Sequence, residues 1–135
     1  MKHPLALVVA FAGLAGAPAA FAHHSASMFD FAHPITLEGT VREFNWTNPH
    51  ISIDLYVDGQ NGQAGKLWTI EASSVGAMSR AGWNKHTVNP GDKVKVLLSP
   101  LRDGGAAGSI TSVTLASGKT ITWLTGSNQS QTKTP

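Results

Sequence analysis

Alternation at period two, broken once by helical spacing, is the feature that most constrains this chain. Ile35 to Trp46 sets Ile35, Leu37, Gly39 and Val41 against Thr36, Glu38, Thr40 and Arg42. Such a run buries one face of a strand and wets the other. Gly39 inside it predicts a bulge or a tight bend. Ile51 to Val57 is the cleanest strand, with Ile51, Ile53, Leu55 and Val57 on one face. Lys66 to Ala72 follows beyond a Gly/Asn/Gln turn. The period then changes. Ser73 or Ser74 can cap a helix from Val75 to about Ala81, with Gly82 in the terminating role. Asn89-Pro90-Gly91-Asp92 has turn chemistry. Strands return at Lys93 to Leu98, Ser109 to Leu115 and Lys119 to Leu124. Three strands, one short helix and two or three further strands match the order of the OB-fold. The expected fold is all-β with one short helix, an OB-like five- to six-stranded antiparallel barrel over residues 35–125. A plain β-sandwich is the alternative.

The first 22 residues are set aside as an address. Lys2 and His3 precede the apolar run Leu5 to Leu14. Pro18 interrupts it, and Ala20-Phe21-Ala22 fits a small-x-small cleavage site. This is the pattern of a secretory signal peptide. The run falls short of the ~20 residues that span a bilayer. The expected product starts at His23, is periplasmic or secreted, and keeps no membrane anchor. Residues 23–34 form an N-terminal arm with Met28, Phe29 and Phe31 as packing anchors. Residues 126–135 are polar and read as a disordered tail.

Composition narrows the chemistry. The 135 residues include no Cys, so disulfide scaffolds and thiolate metal sites are excluded. A formal charge of +2 is too small for a polybasic nucleic-acid binder. No Gly-x-Ser-x-Gly elbow, His-Glu-x-x-His pair or phosphate loop is present. Glu38 and Glu43 stand at odd separation on one strand, which places them on opposite faces. No residue is therefore assigned a catalytic role, and an enzyme ranks last among the readings.

Histidines carry the leading expectation. Cleavage at Ala22 leaves His23 with a free α-amine beside its imidazole, and His24 next. The amine pKa lies near ~8, within reach of deprotonation by a metal. Amine and ring nitrogen together chelate one ion, and a further imidazole completes a three-nitrogen set that suits Cu(II), with Zn(II) second. This arrangement resembles the histidine brace of some exported copper proteins. His50 is the first candidate for the third nitrogen, with His24 the local one. His33 precedes Pro34, which biases it toward an extended conformation; it reads as a surface-loop residue, with an approach to the metal as the alternative, and His86 reads as solvated. The rival expectation is a metal-free module for a small molecule or an exported protein. Its site gathers Asn48, Trp83, Arg102 and Asp103 where the first and last barrel loops meet. Trp46 and Trp68 read as core.

Several segments resemble a family of small exported bacterial proteins classed as a domain of unknown function. They are His23-His24-Ser25, Met28-Phe29-Asp30, Gly39-Thr40-Val41, Trp46-Thr47-Asn48-Pro49-His50, Gly82-Trp83, Pro90-Gly91-Asp92 and Pro100-Leu101-Arg102-Asp103-Gly104. In that family the residue two after the Pro-His step is often aromatic; here it is Ser52. The resemblance implies export and a small β fold, and it supplies no activity.

Overall fold

The computed structural model describes residues 26–123. The expected leader (residues 1–22), His23, His24 and the expected tail (residues 126–135) lie outside the described residues. A 3-10 turn, Ala26–Met28, precedes β1 (Ile35–Asn45), β2 (Ser52–Val57), β3 (Lys66–Glu71), α1 (Val75–Arg80), β4 (Lys93–Pro100), β5 (Ala107–Leu115) and β6 (Thr120–Thr122). The strands hydrogen-bond in the order β3-β2-β1-β4-β5, and β3 pairs with β5 to close a barrel. β6 is an extra strand on β5.

One pairing departs from the all-antiparallel expectation. β3 runs parallel to β5, through Thr69 with Ala107, Ile70 with Gly108 and Glu71 with Ser109. Direction explains it: β4 reverses the course of β3, and β5 reverses it again. The barrel is therefore closed and mixed, with one parallel seam.

The alternation seen in sequence becomes the inner wall. Val41, Ile53, Leu55, Ile70, Val94, Val96, Leu98, Ile110 and Val113 are all buried. Each such side chain contributes about 1.5–3 kcal/mol on burial. Met78 of α1, with Trp83, Val88 and Ile51, belongs to the same core cluster, so the helix and its following loop pack onto the barrel rather than standing apart.

α1 is short, and its ends are held by capping. Ser74 Oγ accepts from Ala77 N. At the other end Gly82 has φ +88°, a conformation that costs a residue without Cβ little. It lets Gly82 N donate to Ser79 O and Trp83 N to Met78 O, the paired closure of a Schellman motif. That closure turns Trp83 inward beside Met78.

β1 serves two neighbours. Ile35–Thr40 pair with β4, and Thr40–Asn45 pair with β2. Gly39 sits where the strand bends between them: a Cβ there would collide with the Tyr56 carbonyl oxygen and press on the Leu55 side chain at 3.0 Å. The bulge itself falls three residues later, where the register slips between Val41 and Glu43. This corrects the expected placement of two carboxylates. The extra residue, Arg42, shifts the alternation by one, so both Glu38 and Glu43 face solvent. They remain five residues apart along the strand.

Candidate functional site

The arm is built onto the barrel, and one arginine does most of the holding. Phe29 forms an isolated antiparallel bridge with Leu101. Asp30 N donates to Pro100 O (2.8 Å), and Arg102 N donates to Met28 O (2.9 Å). The Arg102 side chain adds a bond from Nε to Ser27 O at 3.1 Å. Phe29 is almost fully buried and meets Phe31 edge-on at 6.1 Å. The arm thus continues the line of β1 along β4, with residues 30–34 looping out between the two pairings.

That loop carries a small polar cluster. His33 Nδ1 lies 2.9 Å from Asp30 Oδ2. Asp30 Oδ1 accepts from Ala32 N at 3.2 Å and faces the Arg102 guanidinium at 3.7 Å. Hydrogen bonding from His33, with smaller help from Ala32 and Arg102, holds the Asp30 carboxyl below its ordinary pKa. Sequence reading placed His33 on a surface loop, with an approach to a metal as the alternative, and did not single out Asp30. Only the Asp-x-x-His spacing across a turn could have flagged the pair.

The candidate site residues do different work. Asn48, beside a cis peptide to Pro49, accepts from Val75 N through its Oδ1 at 3.0 Å. It caps the first turn of α1 from across the chain. The β1–β2 loop is further tied down by Ile51 N to Ser73 O and Ala72 N to Ile51 O. His50 is 44% exposed, with Nδ1 3.9 Å from Glu71 Oε2, too long for a hydrogen bond. Asp103 Oδ1 accepts from Gly105 N at 2.8 Å, closing its own turn. Trp83 is 2% exposed and belongs to the core. Its indole N–H is buried without an acceptor among the described residues, as is that of Trp123. The two loops that carry Asn48 and His50, and Arg102 and Asp103, are therefore secured separately, one to α1 and the other to the arm. His23 and His24 lie outside the described residues. Among the described residues, no group of three His, Asp or Glu side chains is arranged to hold a metal ion.

A cavity of about 450 Å³ lies away from these loops. Glu38, Lys95, Lys93 and Asp58 line it with the end of β5. Lys95 Nζ and Glu38 Oε1 form an ion pair at 2.6 Å. The volume falls within the range of small-molecule sites.

Comparison with known proteins adds one finding. A family model described as a family of unknown function, DUF6152, matches residues 12–112. That span starts within the apolar N-terminal run and continues through the arm and most of the barrel. No curated protein and no solved structure gives a significant match.

Proposed function

Since the chain belongs to DUF6152, a family of unknown function, we propose a role from its own residues: an exported binding protein, periplasmic or secreted, that holds Cu(II) at a processed N-terminus. The α-amine and imidazole of His23 form the chelate, and a further imidazole supplies a third nitrogen. From sequence, His50 is the first candidate for that nitrogen and His24 the second. Zn(II) is the weaker fit to a three-nitrogen set.

The observation that carries this reading is the docked arm. His23 stands three residues before Ala26, and from Ser27 onward the arm is bonded to Pro100 and Arg102. Fixing the chain so close to a chelating terminus lowers the ordering cost of binding, which is the general advantage of preorganisation. The leader pattern supports export, and the absence of Cys leaves nitrogen and oxygen as the ligand atoms.

Intact mass of the exported protein and a Cu(II) titration followed by electron paramagnetic resonance test it together. The expected result is a chain beginning at His23 that binds one Cu(II) with nitrogen coupling, lost in His23→Ala. A different first residue, or undiminished binding in the variant, refutes the proposal.

A metal-free ligand-binding module is the second reading, and the 450 Å³ cavity is the observation that favours it. It predicts that a chelator leaves binding of a small organic ligand unchanged.

A further inference from the structure

We infer that the cavity at one end of the barrel binds a small zwitterion with an aliphatic body, of the class of the α-amino acids. This rests on the metal-free reading above and names the ligand chemistry of its cavity.

Divergence of two strands makes the cavity. β1 pairs with β2 only from Thr40 onward, while its earlier residues pair with β4. β2 ends at Val57. Asp58 therefore leaves the sheet where β1 bends away at Gly39, and Glu38, Gly39 and Asp58 all line the opening. β4 begins and β5 ends at the same end of the barrel, with Lys93 and Leu115. Two cross-strand rows run into the cavity. One is Gly39, Val94 and Leu115; the next is Glu38, Lys95 and Thr114.

The first row is apolar. Val94 is buried, and Leu115 packs against the core. Gly39 adds no side chain. This row suits an aliphatic group.

The charges come in two kinds. Lys95 Nζ and Glu38 Oε1 already pair at 2.6 Å. Lys93 and Asp58 line the same cavity, yet neither side chain forms an ion pair or hydrogen bond among the described residues. The cavity thus offers one unmatched ammonium and one unmatched carboxylate beside apolar ground. A simple anion would leave Asp58 unmatched, and a simple amine would leave Lys93 so. A zwitterion answers both: its carboxylate accepts from Lys93 Nζ, and its ammonium donates to Asp58. Charge-assisted hydrogen bonds of this kind are the stronger class. A few convergent polar groups on an apolar lining are the general pattern of small-molecule sites, and the volume of about 450 Å³ fits that pattern.

The test follows backbone amide NMR shifts as L-leucine is added to the protein. A chelator is present, because amino acids themselves bind Cu(II). Isocaproate (leucine without its ammonium) and isopentylamine (leucine without its carboxylate) are titrated alongside. L-Leucine is expected to move the amides of Gly39, Val94 and Leu115 saturably. Each one-charge probe is expected to bind about tenfold more weakly, the effect of losing one charge-assisted hydrogen bond. Lys93→Met and Asp58→Asn are each expected to lower L-leucine affinity by about the same factor. Lys85→Met, outside the cavity, should match the parent. Lys93 and Asp58 are exposed, so circular dichroism spectra of the variants should coincide with the parent's. A one-charge probe that binds as tightly as L-leucine, or parent-like L-leucine affinity in Lys93→Met or Asp58→Asn, overturns the zwitterion assignment and leaves a small-molecule cavity standing. Cavity amides that none of the probes moves overturn the assignment and remove the cavity's support for the metal-free reading.

Discussion

Replacing Gly39 by Ala gives a test in which the sign of the effect decides. Gly39 lies in β1, and its φ is outside the left-handed region, so the backbone itself accepts Ala. Were conformational entropy the only consideration, Gly39→Ala would stabilise the protein by about 0.4–1 kcal/mol, by restricting the unfolded chain. The new methyl group, however, collides with the Tyr56 carbonyl oxygen and meets the Leu55 side chain at 3.0 Å. The obstacle is backbone within the β1–β2 seam, which cannot swing aside as a flexible side chain would. Overpacking of this kind costs ~1–3 kcal/mol. The expected net effect is a loss of roughly 1–2 kcal/mol. With a urea slope of ~1–3 kcal/mol per molar, the unfolding midpoint should fall by roughly 0.5–1 M. Gly76→Ala is the companion measurement. There, inside α1, the methyl group meets only the Arg80 guanidinium at an ordinary 3.6 Å, and Ala in a helix interior gains about 0.5–1 kcal/mol over Gly. Urea unfolding of the two variants should therefore move in opposite directions. A Gly39→Ala midpoint equal to or above the parent would refute the claim that the bend in β1 requires a missing side chain.

Two further outcomes follow from the polar contacts. Asn48→Ala removes the acceptor for Val75 N and should cost about 0.5–2 kcal/mol in urea unfolding, the usual range for a lost cap; an unchanged midpoint would mean that water replaces the side chain without loss. Asp30 has a folded pKa below its ordinary value of 3.8, so its contribution to arm docking is fully present above that value and lost as pH falls through the depressed one. A carboxyl-carbon NMR titration should show the Asp30 midpoint below 3.8, with arm amide protection falling over the same window; a midpoint at or above that value would contradict the Asp30–His33 bond.

The barrel was legible because its inner wall is written locally. Ile53 and Leu55 alternate with Ser52 and Asp54, and the structure keeps that alternation as inside and outside. The helix ends were legible for the same reason: Ser74 and Gly82 act within one turn of themselves. What escaped was non-local. Nothing near Asn48 announces that its side chain will cap a helix starting at Val75. Nothing near Arg102 announces that it reaches back to Ser27 and Asp30. The Arg42 bulge was invisible because one inserted residue leaves no mark on composition while inverting every face after it. Trp83 looked available for a ligand. The Schellman closure around Gly82 turned it into the core instead.

The clamp on the arm also has a timetable. A chain is made, and crosses a membrane, from its N-terminus. Ser27 then waits for a partner 75 residues downstream, and Phe29 waits for Leu101. Until β4 and the Arg102 loop arrive, the stretch beside the Ala22–His23 bond has nowhere to dock. On the proposed export route a processing peptidase therefore meets this stretch before it is tied down, and the barrel takes hold of Ser27 and Phe29 only afterwards.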